Sequence, residues 1–222
     1  MMPFAGGIDS LPNGTLLLSA VAALLYLPVQ GRQPSLRRTV VKAGSTALLA
    51  LLALMQGGPV LLVAALALSA AGDAFLAQDG ERPFLLGLAS FLLAHLAYVP
   101  LFLSVGGGLA ILTAEPWRLA LALLAVAGAA VLVRLLLPAA GPQMRLPVAV
   151  YAAAILAMML AAATVPSPII LIGAALFVLS DSLLATGRFL LPPHAPQQRP
   201  LGAAVWITYY LAQAAITLGF LL

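Results

Sequence analysis

The strongest constraint on the fold is a series of long apolar segments that occupy most of the chain. Each is about as long as a helix that crosses a bilayer, which needs roughly 20 mostly apolar residues. Short connectors rich in Pro, Gly and Arg separate them. We therefore predict an all-α, polytopic membrane bundle of eight transmembrane helices in a single domain, residues 1–222. The predicted spans are roughly residues 15–29, 39–55, 60–77, 84–104, 117–137, 146–163, 169–190 and 201–221.

The composition excludes several other classes of protein. Hydrophobic residues make up 64% of the chain and charged residues 7%, whereas a soluble domain carries about 25% charged residues. Disordered proteins combine low hydrophobicity with high charge. The 10 basic residues are scattered rather than clustered, so no nucleic-acid partner is expected. Because the chain has no cysteine, disulfides, thiolate zinc sites, iron–sulfur clusters and a cysteine nucleophile are excluded.

The basic residues predict how the helices are oriented. Cytoplasmic loops carry an excess of Lys and Arg, and eight spans would place four connectors on one side of the membrane. Those connectors carry Arg32, Arg37, Arg38, Arg82, Arg134, Arg145, Arg188 and Arg199. The other side carries only Arg118. We therefore expect these four connectors in the cytoplasm and both termini outside it.

The first span is expected to be permanent rather than a cleaved signal peptide. A signal peptide needs a basic region before its apolar segment, and the first 31 residues contain no Lys or Arg. Arginine outnumbers lysine nine to one, and Ala and Leu are abundant, as is typical of a GC-rich bacterium. We expect the chain to be a multi-pass protein of the bacterial inner (cytoplasmic) membrane.

Polar residues inside the spans are few, and they indicate a functional site. An ionisable side chain in the bilayer costs several kcal/mol, so it marks function by default. With the orientation above, these residues lie between the cytoplasmic face and the midplane, whereas the first and fifth spans carry nothing comparable. We predict that they line one polar cavity open to the cytoplasmic leaflet. The candidates are Lys42, Asp73, His95, Tyr98, Tyr151, Ser180, Asp181, Tyr209, Tyr210 and Gln213.

Each candidate also has a purely structural interpretation. Lys42 lies near a helix end, from which its side chain could extend to the lipid headgroups. His95 could be a hydrogen-bonded packing residue, and the tyrosines and Gln213 could join helices. Ser180 could bond the carbonyl of the preceding turn. The two aspartates favour function most strongly, because they lie on separate helices at similar depth.

The polar residues and their neighbours resemble the pattern of a known family. The matching residues are Lys42; Gly72-Asp73; Gly87, Phe91, His95 and Tyr98; Phe177 with Ser180-Asp181-Ser182; and Tyr209-Tyr210 with Gln213. In this order and register they resemble the YhhN family, whose animal members are the TMEM86 lysoplasmalogenases. The resemblance implies an eight-helix membrane hydrolase that cleaves the vinyl ether bond of lysoplasmalogens. The products would be a fatty aldehyde and glycerophosphocholine or glycerophosphoethanolamine.

The implied reaction suits a pair of carboxyl groups. A general acid protonates the carbon β to the ether oxygen, and water traps the resulting oxocarbenium ion as a hemiacetal, which collapses. Glycoside hydrolysis divides acid and base roles between two carboxyl groups around a similar cation. We expect Asp181 to be the acid, because it would be deeper and more desolvated, and Asp73 to be the base. No metal or other cofactor is expected.

The other candidates are expected to hold the lysophospholipid. Lys42 would lie near its phosphate, since a compact ammonium suits a phosphodiester. Residues His95, Tyr98, Tyr209 and Gln213 would orient water, the glycerol hydroxyl or the carboxyl groups. Apolar walls would hold the alkenyl chain of a lipid that enters from the inner leaflet.

Three other functions use the same residues. A small transporter of lipids or organic cations could use the Asp and Lys cluster, although inverted repeats, common in transporters, are not evident. An intramembrane aspartyl protease also uses two aspartates, but this chain has Ala71-Gly72-Asp73 rather than Gly-x-Gly-Asp. A zinc hydrolase would need His95 with both aspartates, since catalytic zinc commonly takes three protein ligands.

Overall fold

The structure, a computed structural model, describes residues 2–222, and over these residues it is built of helices with no strand. The helices are α1 (Leu11–Tyr26), α2 (Leu36–Met55), α3 (Val60–Leu76), α4 (Glu81–Val105), α5 (Gly108–Ala114), α6 (Pro116–Ala139), α7 (Gly141–Ala163), α8 (Pro168–Ala185) and α9 (Gln198–Leu221). A π-helical turn, Thr186–Leu190, follows α8 directly. The all-α prediction is confirmed.

Every predicted span contains a helix, and six helices are long and apolar enough to cross a membrane. These six are α2, α4, α6, α7, α8 with its π-helical turn, and α9. The other two predicted spans correspond to α1 and α3, which are apolar but only 16 and 17 residues long. The chain is thus a multi-pass membrane protein, and the full count of eight crossings stays a prediction.

The helices differ from the predicted spans in several places. Helix α1 ends at Tyr26 rather than at residue 29, because Pro28 has no N–H with which to continue the helix. The short helix α5 was not predicted, since the glycines before it indicated only a break. Helix α8 changes to π geometry at Thr186, where Gln198 Nε2 donates to the Gly187 carbonyl at 2.9 Å.

Large apolar side chains cover the outside of the long helices. Helix α6 shows this most clearly, since few of its residues are buried and Leu123 and Leu124 are 61% and 67% exposed. Soluble monomers rarely expose contiguous apolar surface of this kind. An apolar exterior on helices of this length is what a hydrocarbon solvent requires, and it agrees with the membrane assignment.

The chain divides into two compact units. The first consists of the residues up to Tyr98 together with Ile216–Leu222. In it α1 packs on α2 and α2 packs on α3. The Ser19 hydroxyl of α1 donates to the Ser45 carbonyl of α2 at 2.7 Å. This bond fixes the register of the two helices where both are buried.

Two glycines bring α3 and α4 close together in the first unit. A Cβ at Gly72 would lie 2.6 Å from the ring of Phe91, and a Cβ at Gly87 would lie 2.7 Å from the Leu76 side chain. Both distances are too short for real atoms, so the approach needs glycine at both positions. Since Asp73 follows Gly72 in α3, the same contact fixes the height and rotation of that aspartate.

The second unit, Val99–Ala215, contains a buried arginine that connects two of its helices. Here α6 packs on α7 and α7 on α8. The Arg118 guanidinium, 1% exposed, donates to the carbonyls of Ala163 (3.3 Å), Val165 (2.7 Å) and Pro166 (3.0 Å). Arg118 was predicted only as the lone basic residue of the outer side. In the structure it joins the start of α6 to three carbonyls at and just beyond the end of α7, where carbonyls lack partners within the helix.

Candidate functional site

The predicted site residues divide between the two units. Lys42, Asp73, His95 and Tyr98 lie in the first, and the other six lie in the second. Each group has a titratable carboxyl group with a partner that the structure defines.

In the first unit a buried ion pair joins α2 to α3. The Lys42 ammonium lies 3.6 Å from Asp73 Oδ1, and the two side chains are only 11% and 2% exposed. The Thr46 hydroxyl, one turn further along α2, donates to Asp73 Oδ2 at 2.8 Å. Residues four apart share a helix face, which is why Lys42 and Thr46 both reach the same carboxyl group. Each oxygen of Asp73 therefore has a defined polar partner.

The Lys42 side chain also contacts an aromatic ring of α1. Its ammonium lies over the Tyr26 ring of α1, 5.6 Å from the ring centroid. An ammonium in this position is attracted to the electron-rich face of the ring. These contacts favour a role inside the helix bundle over the interpretation that Lys42 reaches the lipid headgroups. The predicted contact with a substrate phosphate stays a prediction, but the ammonium already has Asp73 as a partner.

His95 and Tyr98 complete the predicted residues of the first unit. Both are fully buried on α4. They are three residues apart, so they lie on the same face of that helix. Buried polar side chains at such positions hold a fixed orientation, which a positioning role requires.

In the second unit Asp181 of α8 pairs with Tyr151 of α7. The Tyr151 hydroxyl donates to Asp181 Oδ2 at 2.5 Å. Asp181 and Tyr151 are half-buried. Sequence reasoning placed both residues in the site but did not predict that they pair.

Aromatic rings on α8, the helix that carries Asp181, and on α9 pack against one another. The rings of Phe177 and Tyr209 meet edge to face, with centroids 5.5 Å apart. The Trp206 ring lies 5.7 Å from that of Tyr209 and 6.4 Å from that of Tyr210. Trp206 and Tyr209 are buried and Tyr210 is half-buried. These rings make a rigid apolar wall between the two helices.

Ser180 joins the same two helices. The Ser180 hydroxyl donates to the Val205 carbonyl of α9 at 2.9 Å, so the interpretation that it bonds its own preceding turn is wrong. Its neighbour Ser182 does bond the preceding turn, through the Val178 carbonyl at 2.7 Å. Gln213 is fully buried on α9. Ser180 therefore acts across helices, as was predicted for the tyrosines and Gln213.

The burial of the two aspartates does not support Asp181 as the acid. Asp181 was expected to be the more desolvated carboxyl group. In the structure Asp73 is 1% exposed, whereas Asp181 is half-buried. The two differ more clearly in their partners, because Asp73 faces an ammonium and Asp181 a phenol. Partner charge is thus the better guide to the role of each carboxyl group.

Sequence reasoning missed two residues that shape the first group. Tyr26 lies on α1, a helix expected to carry no comparable polar group, and Thr46 was not among the candidates. The signal for Thr46 was its spacing of four from Lys42. The signal for Tyr26 was weaker: it lies at the end of α1, just before the connector to α2. Within residues 2–222, no group of three His, Asp or Glu side chains is arranged to hold a metal ion.

The sequence was also compared with known proteins. The sequence model of the YhhN family matches residues 37–220. A protein named lysoplasmalogenase from Mycobacterium bovis is 36% identical over 165 residues, which cover 72% of this chain and 59% of that protein. Human lysoplasmalogenase TMEM86B is 36% identical over 162 residues, covering 72% of this chain and 63% of its own length. The matched region thus spans about three-fifths of these relatives. No solved structure matches the chain.

Proposed function

This chain belongs to the YhhN family, and we propose that it hydrolyses the vinyl ether bond of lysoplasmalogens. The substrate is a lysophospholipid taken from the membrane, and the products are a fatty aldehyde and glycerophosphocholine or glycerophosphoethanolamine. The observation that carries the proposal is the family match over residues 37–220, together with relatives that are named lysoplasmalogenases. Two aspartates with fixed partners supply the carboxyl groups that the reaction needs.

Asp73 is the proposed base. The Lys42 ammonium lies 3.6 Å from its Oδ1 and the Thr46 hydroxyl donates to its Oδ2, so this carboxyl group has a cation and a donor as partners. As a carboxylate it accepts a proton from the water that attacks the oxocarbenium carbon. Its negative charge also stabilises that cation before water arrives. Both functions need a carboxylate that is held in place, which Lys42 and Thr46 provide.

Asp181 is the proposed acid. It transfers its proton to the carbon β to the ether oxygen, which makes an oxocarbenium ion and leaves a carboxylate. The Tyr151 hydroxyl at 2.5 Å stabilises that carboxylate as it forms, so the bond strengthens along the reaction. The hemiacetal then breaks its bond to the glycerol oxygen, which takes the proton that Asp73 accepted from water. The hemiacetal hydroxyl gives its own proton to the Asp181 carboxylate, so the aldehyde leaves and both aspartates regain their starting states.

The remaining predicted residues are proposed to support these steps. His95, Tyr98 and Gln213 are buried polar groups that would orient water or the glycerol hydroxyl. Tyr209 and Tyr210, with the neighbouring rings of Phe177 and Trp206, would hold the alkenyl chain. We also propose eight membrane crossings, both termini outside the cytoplasm, and a place in the bacterial inner membrane.

A direct assay tests the proposal. Purified protein in detergent is mixed with lysoplasmenylcholine or lysoplasmenylethanolamine, and fatty aldehyde is measured with a coupled dehydrogenase. We expect release by the wild type with chelator present, and at least a hundredfold loss in Asp73→Asn and Asp181→Asn. An active Asp→Asn variant would remove that carboxyl group from the mechanism. Transport of the intact lipid into liposomes without aldehyde would favour the transporter instead.

A further inference from the structure

The phosphate of the substrate needs a cation, and Lys42 is already paired with Asp73. The first unit has four arginines, Arg32, Arg37, Arg38 and Arg82. Three are exposed, whereas the Arg38 side chain is only 11% exposed. A buried guanidinium needs hydrogen-bond acceptors, because each unpaired donor costs free energy. Arg38 is therefore the basic residue of this unit whose surroundings require explanation.

The structure satisfies only part of the Arg38 guanidinium. Nη1 donates to the Arg32 carbonyl at 2.7 Å. The same atom lies 3.9 Å from Asp79 Oδ1, a carboxylate that is 75% exposed. Nε is buried and has no hydrogen-bond partner among residues 2–222. The edge of the guanidinium that carries Nε thus lacks the acceptor that a buried donor requires.

The position of Arg38 agrees with the position of the carboxyl group. Arg38 and Lys42 are four residues apart on α2, so they share one face about 6 Å apart along the helix. Lys42 holds Asp73, the proposed base. In a lysoplasmalogen, the glycerol backbone separates the phosphate from the vinyl ether. The distance of about 6 Å between Arg38 and Lys42 along the helix is of the same order as the distance between the phosphate and the vinyl ether.

We propose that Arg38 binds the phosphate of the lysolipid through the edge that carries Nε. A guanidinium can bond two phosphate oxygens at once, which fixes the orientation of the headgroup as well as its charge. The phosphate would replace the long, exposed contact with Asp79, while the Arg32 carbonyl keeps the side chain in place. This inference rests on the proposed function for the identity of the lipid, but not for the contact itself.

A binding experiment tests Arg38 without using the reaction. The ligands are a 1-O-alkyl lysophosphocholine, which has a saturated ether and is not hydrolysed as a vinyl ether, the 1-O-alkylglycerol of the same chain, and inorganic phosphate. Affinity is measured by thermal shift and calorimetry in detergent. For Arg38→Gln we expect the affinity for the phospholipid to fall about tenfold or more, as for loss of a charged hydrogen bond, and that for the alkylglycerol to stay unchanged.

Arg37→Gln is the matched control, because Arg37 is the neighbouring residue and is exposed. It should bind both lipids as the wild type does. If Arg38→Gln binds the phospholipid normally, or if both variants lose the same affinity, the proposal is wrong. Tight binding of inorganic phosphate that also depends on Arg38 would identify a site for free phosphate rather than for the lipid, and would overturn the lipid assignment.

Two further variants cover other outcomes. If Arg38→Gln does not fold, Arg38→Lys keeps the charge without the guanidinium edge, and we expect it to lose several-fold affinity for the phospholipid. Unchanged affinity would contradict the proposal. Asp79→Asn removes the competing carboxylate and should bind the phospholipid more tightly than the wild type. Arg38-dependent binding by a wild type that releases no aldehyde would support Arg38 while rejecting the proposed reaction.

Discussion

The two aspartates differ in what surrounds them, and this difference matters for both stability and chemistry. Asp73 is almost fully buried beside an ammonium, so it behaves as half of an ion pair. Asp181 is half-buried and bonded to a neutral phenol. A buried ion pair is costly to break because the remaining charge has no partner. When a carboxyl group loses a neutral phenol as its partner, no opposite charge is left buried and unpaired.

The Lys42 and Asp73 pair gives a test of stability that is separate from catalysis. Lys42→Met leaves a buried carboxylate, and we expect a loss of about 3–5 kcal/mol in folding free energy. The double variant Lys42→Met with Asp73→Asn should recover part of that loss but remain inactive. Thermal melting in detergent measures the stability, and aldehyde release measures the activity. A single variant with wild-type stability and activity would show that the pair is dispensable.

Tyr151 gives a test of the acid. Tyr151→Phe removes the hydroxyl that bonds Asp181 and little else. We expect kcat for aldehyde release to fall about tenfold or more, since a hydrogen bond to a charged group is worth about 1.5–3 kcal/mol. KM should change little, because the bond strengthens only as the carboxylate forms. The control is Ser182→Ala, because Ser182 is next to Asp181 and its hydroxyl bonds the Val178 carbonyl within α8. A rise in KM with kcat unchanged would contradict the assigned role.

At the scale of the helices, the apolar segments were predictable and their ends were less so. A membrane helix is specified by length and hydropathy, so a helix occurs at each of the eight segments. The ends depend on local backbone chemistry, such as Pro28 after α1 and the Gln198 bond at Gly187. Helix α5 was missed because its seven residues are too few to show a span.

The site was predictable in its residues but not in its pairs. Charged residues stand out in an apolar chain, so Lys42, Asp73 and Asp181 were found from rarity alone. The neutral residues that also contact them give less signal, because neutral polar residues are common in membrane helices. Tyr26 and Thr46 were missed for this reason. Arg118 was counted towards the topology, because nothing local in the sequence shows which carbonyls it reaches.

The Arg118 contact should determine whether α6 and α7 hold together. Arg118→Gln loses most of the bonds to three carbonyls at the end of α7. We expect a loss of at least about 3 kcal/mol in stability, since charged hydrogen bonds contribute about 1.5–3 kcal/mol each. Thermal melting of the purified protein measures it. The control is Arg134→Gln on the same helix, where the arginine is exposed. Equal melting of both variants would show that the contact contributes little.

For the whole molecule, the orientation in the membrane follows from the arginine distribution and the proposed eight crossings. The chain has no cysteine, so single cysteines can be labelled without background. We expect Gln56→Cys, after α2, to react with an impermeant maleimide from outside intact cells. Gln33→Cys, before α2, should react only after the cells are permeabilised. The reverse pattern would invert the topology, and labelling of both from outside would mean that α2 does not cross.

The central claim is that the chain protonates a vinyl ether on carbon, and the aldehyde records this step. The reaction is run in D₂O with lysoplasmenylcholine, and the released fatty aldehyde is reduced at once and analysed by mass spectrometry. We predict a single deuterium on the carbon next to the former aldehyde carbon, because that carbon receives the proton of the acid. The aldehyde should be lost in Asp73→Asn and Asp181→Asn. Aldehyde without deuterium at that carbon, or no aldehyde from folded wild type, would contradict the account.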